Sequence, residues 1–168
     1  WSSIYDVLTS LGGSWSWLGN VLGTSTSLTD GEWKLQLKAE DNAGNESEDV
    51  SSSTLTVDTT APNTPTFVSS SHTKEVWNSD RSINISWTAT DPTPGSGIAG
   101  YSYIWNTTAS FTPDTTSEGS GTSTTSTNRP TSQSIYFHVR AVDGLDQWGD
   151  TLDYGPFWID ANNPTGSW

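Results

Sequence analysis

An alternating pattern that occurs twice in the chain constrains its fold most strongly. In residues 135–143, apolar side chains alternate with side chains that tolerate water, and residues 33–41 repeat this arrangement. The apolar positions of the later run are Ile135, Phe137, Val139 and Ala141, and those of the earlier run are Trp33, Leu35, Leu37 and Ala39. A period of two is typical of a β-strand with one buried face.

The two runs belong to a longer internal repeat. Both end in aspartate, at Asp41 and Asp143, so the shift between them is 102 residues (143 − 41). The same shift relates Leu55, Val57, Asp58 and Pro62 to Phe157, Ile159, Asp160 and Pro164. A fixed period of this length predicts a tandem repeat of one small β-domain. The function is therefore expected to be that of a repeated module.

Composition favours an all-β protein and excludes several classes of partner. The formal net charge is −13 with only 6 Lys and Arg, which argues against binding to nucleic acid or to anionic membrane surfaces. There is no cysteine, so the chain has neither disulfides nor thiol chemistry. The chain contains no run of 18 apolar residues, the length that would predict a membrane-spanning helix. Acidic charge, frequent Ser and Thr and the lack of sulfur fit the outside of a bacterial cell.

The repeat predicts four segments. Residues 1–60 form a partial β-sandwich, residues 61–65 a proline-containing linker, residues 66–160 a complete β-sandwich, and residues 161–168 a linker toward a further domain. The two prolines of this linker, Pro62 and Pro65, block continued sheet pairing and predict a short, stiff connection.

The first unit lacks counterparts of the first two strands of the second unit. It begins with three short predicted strands within residues 1–30 and then enters the repeated strand. A sandwich without its first strands leaves an apolar face and an edge uncovered. Either residues that precede this chain or a neighbouring chain would supply them.

The second unit has a predicted core. Strands are expected at 83–88, 101–105, 135–142 and 156–160, and residues 67–77 are expected to form one interrupted first strand. The side chains predicted to be buried together are Ile85, Trp87, Tyr103, Phe137 and Val139, and Trp33 is expected to point into the core of its own unit. His138 is predicted to lie on the outward face of its strand.

Five sequence stretches resemble known β-sandwich families. The motifs Ile83-x-Ile85-x-Trp87, Gly100-Tyr101-x-Tyr103 and the run 137–143 resemble strands B, C and F of fibronectin type III domains. The turn at 39–45 and the ending at 57–62 resemble bacterial Ig-like domains strung together in surface proteins. The resemblance implies an all-β fold of two tandem immunoglobulin/fibronectin-III-like β-sandwiches, the first lacking its N-terminal strands. It also implies an extracellular or bacterial cell-surface location with adjacent Ig-like domains as partners.

Acidic loops predict a candidate metal site. In this fold the B–C and F–G loops share one end, where the last strand of the preceding domain arrives. That arrangement would gather Asp58, Asp91, Asp143 and Asp146 near the linker. Ca²⁺ takes six to eight oxygen ligands, so an interdomain Ca²⁺ is one interpretation. The other is that Asp41 and Asp143 cap their own turns by accepting backbone N–H bonds.

Tryptophans outside the predicted core are candidate ligand-binding residues. Trp15, Trp17, Trp148 and Trp158 are expected in loops or on the face opposite the core. Exposed tryptophan can stack on sugar rings, but it also covers loop bases and domain junctions.

No pattern in the chain predicts catalysis. The two histidines, His72 and His138, are too few and too far apart for a metal cluster, and no nucleophile elbow or phosphate-binding glycine loop occurs. The sequence therefore predicts a non-catalytic structural spacer or stalk of a bacterial extracellular protein. The alternative is a glycan- or protein-binding adhesion module that uses exposed tryptophan.

Overall fold

The computed structural model describes residues 28–38, 40–48, 50–51 and 53–162. These residues contain strands and turns and no helix, which confirms the predicted all-β fold class. Among them there is no helix that could cross a membrane. The short strands predicted before residue 28 lie outside the described residues. In chain order the strands are β1 (Gly31–Trp33), β2 (Gln36–Leu37), β3 (Val50–Ser51), β4 (Leu55–Val57), β5 (Thr66–Ser70), β6 (Trp77–Asn78), β7 (Ile83–Thr88), β8 (Ile98–Asn106), β9 (Ser123–Ser126), β10 (Ser132–Asp143) and β11 (Leu152–Ile159).

The described part of the first unit is a β-hairpin. β1 pairs with β4 and β2 pairs with β3, both antiparallel, and an isolated bridge joins Glu40 to Glu46. The turn at 41–45 closes the hairpin, because Asp41 N donates to Asn45 O at 2.9 Å. The strand predicted for residues 33–40 is therefore present, but it is divided between β1 and β2.

The hairpin pairing recurs in the second unit at the shift of 102 residues. Trp33 pairs with Leu55 in the first unit, and Ile135 pairs with Phe157 in the second. These two pairs occupy equivalent positions in the repeat. The backbone pairing thus repeats together with the sequence.

Two sheets face each other in the second unit. One has the strand order β5-β7-β9 and the other has the order β6-β11-β10-β8. Residues from both sheets form one buried cluster: Ile83, Ile85, Trp87, Tyr101, Ile135, Phe137, Val139, Ala141, Phe157 and Ile159. The rings of Trp87 and Phe137 meet between the sheets with centroids 5.3 Å apart. The predicted burial is confirmed for four of the five core residues, and Tyr103 is half-buried against the same cluster.

The first strand of the second unit differs from its prediction. Residues 67–77 do not form one interrupted strand, because β5 pairs with β7 and β6 pairs in parallel with β11. The chain therefore passes from one sheet to the other after Ser70. In addition, β11 begins at Leu152, earlier than predicted, since Leu152 and Tyr154 pair with β10.

The predicted environment of Trp33 is wrong, whereas His138 lies on the predicted face of its strand but in a buried position. Trp33 is 39% exposed, because the described residues of the first unit form a hairpin with no second sheet layer over it. His138 does lie on the outward face of β10, but it is fully buried. Residues 107–117, called the covering segment from here on, pass over that face, and the Phe111 ring lies 5.8 Å from the His138 ring.

Replacing Trp87 by alanine is expected to destabilise the second unit by about 3–5 kcal/mol, the usual cost of truncating a buried aromatic side chain. Chemical denaturation followed by tryptophan fluorescence measures this change. The control is Val68→Ala, since Val68 is an exposed side chain of β5 and its loss should cost less than about 0.5 kcal/mol. Equal losses in the two variants would contradict the assignment of Trp87 to the core.

Candidate functional site

The connection between the two units is held by hydrogen bonds to loops at one end of the second unit. Asp58 Oδ2 accepts the Ser96 N–H at 2.7 Å, and the Asp58 carbonyl accepts Gln147 Nε2–H at 3.0 Å. Ser96 lies in the loop between β7 and β8, and Gln147 follows β10. The end of β4 is therefore fixed to both loops. These contacts are called the junction from here on.

The rest of the linker is also packed on the second unit. Asn63 N donates to Thr90 O at 3.0 Å, and Asn63 Nδ2 donates to Thr90 Oγ1 at 3.1 Å. Gly149 lies against the linker so closely that an added Cβ would lie 2.3 Å from the Pro62 carbonyl oxygen. Only glycine permits this approach of the two backbones.

The linker is also attached to the first hairpin. Asp30 Oδ1 accepts the Thr59 N–H at 2.8 Å, and Asp30 Oδ2 accepts the Thr60 hydroxyl at 2.7 Å. The side-chain hydrogen bond from Thr59 is the main reason that the pKa of Asp30 lies below its ordinary value. Asp30 thereby fixes the residues that follow Asp58 to the start of the hairpin.

Three of the four predicted metal-site residues come together at the junction. Asp58, Asp91 and Asp143 each present a carboxylate oxygen, and these oxygens all lie within 4.8 Å of one another. Asp58 and Asp143 are buried and Asp91 is half-buried. Asp146 is exposed and lies outside this group. Like charges at this separation repel by roughly 3 kcal/mol per pair at an effective dielectric constant of about 20.

Hydrogen bonds compensate five of the six carboxylate oxygens in this cluster. Thr60 and Ser96 donate to Asp58, Gly97 donates to Asp91 Oδ2, and Leu145 and Gln147 donate to Asp143. The exception is Asp91 Oδ1, which is fully buried and accepts no hydrogen bond. A buried, unsatisfied carboxylate oxygen is costly unless a cation or a donor reaches it.

The pKa of Asp58 agrees with a carboxylate that stays charged. Burial is the largest influence and raises the pKa, but the hydrogen bonds from Ser96 and Thr60 outweigh it and place the pKa below the ordinary value. Asp58 therefore remains ionised at neutral pH. A buried anion of this kind can ligate a hard cation such as Ca²⁺.

The turn-capping interpretation of Asp143 also describes its geometry. Asp143 Oδ1 accepts the N–H groups of Leu145 and Gln147, both at 2.8 Å. Asp41 makes the equivalent bonds to Ala43 and Asn45, at 2.8 and 2.9 Å. Turn capping and ligation are compatible, because each carboxylate oxygen carries two lone pairs.

The candidate tryptophans are in different situations. Trp15 and Trp17 lie outside the described residues. The guanidinium of Arg140 lies over the Trp148 ring, 4.8 Å from its centroid, so one face of that ring is covered. Trp158 lies beside Trp77 on neighbouring strands, with ring centroids 5.5 Å apart and planes inclined at 54°.

Both histidines are removed from solvent. His72 Nδ1 shares a hydrogen with Ser71 Oγ at 2.8 Å, and its Nε2 lies 2.9 Å from the Asp80 carbonyl oxygen. His138 is fully buried and has partners at both ring nitrogens. Neither ring is placed to contact a substrate.

Sequence reasoning missed Ser96, Gln147 and Trp77. A signal for Gln147 was present, because Asn45 and Gln147 occupy the same place in the repeat, four residues after the turn aspartate. In both turns this side-chain amide donates to Oδ2 of the aspartate, at 2.8 and 2.9 Å. Ser96 and Trp77 have no such counterpart in the described part of the first unit.

Comparison with known proteins bears on the first unit. No curated protein sequence matches the chain. Residues 2–59 match the sequence model described as a bacterial Ig-like domain. Such domains commonly occur in surface proteins and are typically non-catalytic. The resemblance carried by the turn and linker motifs is thus confirmed, and residues 2–59 of this chain are similar to the bacterial Ig-like domain family.

Proposed function

We propose that this chain is a non-catalytic structural spacer of a bacterial extracellular or cell-surface protein, built from consecutive Ig-like units. The observation that carries the proposal is that the linker is bonded on both sides, through Asp30 to the hairpin before it and through the junction to the loops after it. A spacer needs fixed geometry between units, and direct bonds at both ends of a short linker supply it.

The packing of the linker supports limited bending. Linkers without contacts behave as flexible chains, and domains joined by them move relative to each other by default. Here Asp58, Pro62 and Asn63 all contact the second unit. The fixed backbone of the prolines adds to this restraint.

The surface chemistry fits the same role. A net charge of −13 keeps the chain hydrated and opposes non-specific association. The absence of cysteine makes the fold independent of disulfide formation. The partners of such a spacer are the adjacent Ig-like domains of the same protein.

Replacing Gly149 by alanine is expected to loosen the linker, because the new Cβ would collide with the Pro62 carbonyl oxygen. Hydrogen exchange at the Asn63 amide, which donates to Thr90 O, reports the change. Exchange should be faster by about two- to tenfold if one such hydrogen bond, which contributes roughly 0.5–1.5 kcal/mol, is disrupted.

Gly121→Ala is the matched control, since an added Cβ at Gly121 meets no atom within 4 Å. It should leave exchange at Asn63 unchanged. Unaltered protection of Asn63 in Gly149→Ala would argue against a fixed linker.

We further propose that the junction binds a divalent cation, with Ca²⁺ as the natural candidate. The fit depends on the clustered carboxylates of Asp58, Asp91 and Asp143 and on the buried Asp91 Oδ1, which accepts no hydrogen bond. Carboxylate oxygens are the ligands that Ca²⁺ prefers, and carbonyl groups or water would complete its six to eight ligands. A bound cation would relieve the repulsion among the carboxylates and stabilise the connection between the units.

Calorimetric titration with Ca²⁺ tests this site. Binding is expected with a dissociation constant of about 10⁻⁴ to 10⁻³ M, the range of extracellular Ca²⁺ modules. Saturation at a hundred times that constant should stabilise the folded state by about 2.7 kcal/mol. Asp91→Asn should abolish the binding heat, and Asp146→Asn should preserve it, because Asp146 lies outside the cluster. Identical melting curves with Ca²⁺ and with EDTA would exclude the site while leaving the spacer proposal intact.

Glycan binding is the second candidate function, and the pair Trp77–Trp158 favours it. Trp77 is 50% exposed and its ring lies beside that of Trp158 at the edge of a sheet. The inclination of 54° between the rings makes them a poor flat platform for a sugar, which supports the spacer as the first choice.

A glycan array separates the two functions. We expect no retained glycan for the spacer and no change in Trp77→Ala. Binding to the array that is lost in Trp77→Ala but kept in Val76→Ala, its exposed neighbour, would establish the adhesion module instead.

A further inference from the structure

The burial of His138 creates an unusual polar contact on the outer face of the second sheet. Its side chain points away from the core and has no exposed surface. His138 Nδ1 lies 2.5 Å from Asp153 Oδ1 on β11, and His138 Nε2 lies 3.0 Å from Asn106 Oδ1 at the end of β8. Both ring nitrogens are therefore engaged.

The partner atoms on both sides are hydrogen-bond acceptors. Asn106 Oδ1 also accepts the Thr108 N–H at 2.8 Å, which identifies this atom as the oxygen of the amide. Asp153 Oδ1 also accepts the Phe111 N–H at 3.4 Å. Burial raises the pKa of Asp153, but hydrogen bonds from His138 and Ser110 outweigh it and keep the pKa below its ordinary value. Asp153 is thus a carboxylate, which only accepts hydrogen bonds.

Two acceptors require two donors on the ring. A neutral imidazole has one N–H and one lone pair, whereas the imidazolium has two N–H groups. Only the charged form can satisfy Asp153 and Asn106 together. A buried cation is costly unless it is paired, and Asp153 supplies the opposite charge.

Asp153 is the negatively charged partner of His138. β8 contributes Asn106 and Ile104, which are uncharged, and the covering segment contributes Phe111. Tyr136 and Arg140 are its neighbours two positions away on β10. Among the described residues, Asp153 is the only carboxylate that forms an ion pair with His138.

The same groups hold the covering segment in place. Its residues Thr108 and Phe111 donate backbone N–H groups to Asn106 and Asp153, the two partners of His138. The Phe111 ring packs against the imidazole, and Asp114 accepts the Ser102 hydroxyl at 3.3 Å farther along β8. The side chain of Asp153 is 31% exposed, so protons from solvent can reach the pair.

We propose that the ion pair between the His138 imidazolium and Asp153 is a latch that holds the covering segment on the sheet. Loss of either charge releases residues 107–112, the part of the covering segment that precedes the Ser102–Asp114 bond, while the sandwich stays folded. The released segment would uncover the outer face of β8 and β10.

The latch responds to acid in a defined direction. A carboxylate whose pKa is lowered by folding stabilises the folded form at pH values above its unfolded pKa of about 3.9. That stabilisation is lost as the pH falls through the lower folded pKa of Asp153. The latch should therefore persist in mild acid and open in strong acid.

Nitrogen-15 NMR of the histidine side chains tests the charge on the unmodified chain. At pH 7 His138 is expected to show both an Nδ1–H and an Nε2–H signal with the nitrogen shifts of an imidazolium. A single N–H with a tautomeric pattern of shifts would overturn the proposal.

Hydrogen exchange tests the latch. Asp153→Asn removes the charged hydrogen bond between His138 and Asp153. The amides of Thr108 and Phe111 should then exchange about tenfold faster or more, as expected for the loss of a bond to a charged group. The amides of β10 that pair with β8 should keep their protection. Asp150→Asn is the matched control, since it removes an equal charge from an exposed residue near the same strand. Unchanged exchange at both amides, or an equal gain throughout β10, would refute the latch.

Discussion

The contact between Trp87 and Phe137 fixes the arrangement of the second unit. These rings come from different sheets and pack with centroids 5.3 Å apart, so they set the spacing and alignment of β7 against β10. β7 ends at Thr88 and β10 ends at Asp143, and the loops that follow leave the sandwich at one end. Asp91 and Asp143 meet Asp58 for that reason. The junction is therefore a consequence of core packing, although none of its residues belongs to the core cluster.

Basic side chains in the second unit are paired mainly with aromatic rings. Lys74 lies over Tyr154 at 4.7 Å, Arg129 over Trp105 at 5.4 Å, and Arg140 over Trp148 at 4.8 Å. Within the described residues none of the three forms an ion pair with a carboxylate. The face of an aromatic ring attracts a cation, so these basic side chains are paired without a carboxylate partner. The acidic side chains remain available for turns, for the junction and for hydration of the surface.

The sequence predicted those features that depend on local pattern. A period of two identified β7 and β10 and the buried side of each, because alternate side chains of a strand must face opposite ways. The repeat predicted the equivalent turns at Asp41 and Asp143, which make the same hydrogen bonds. The convergence of acidic loops followed from the fold class, but the exposed position of Asp146 did not. Asp146 adopts a left-handed backbone conformation within its turn (φ 63°), and the sequence around it does not indicate that conformation.

The remaining features depend on contacts between residues far apart in the chain. The covering segment has no periodicity, so its position over His138 could not be predicted. It depends on Asn106 and Asp153, which flank the segment and the imidazole from two strands. The division of the first strand was missed for a similar reason, because β6 is defined by its pairing with β11 rather than by its own two residues.

The paths by which the chain enters and leaves the second unit determine how this unit would carry tension. It enters β5 at the end that holds Asp58 and leaves β11 near Thr131, whose hydroxyl accepts the Ala161 N–H at 3.4 Å. The 12 residues of β10 separate these ends by roughly 36 Å. A pulling force between the termini would act along β5 and β11, parallel to their own axes. The ladders to β7, β6 and β10 would be loaded in shear, so their hydrogen bonds would resist as a group instead of opening one after another.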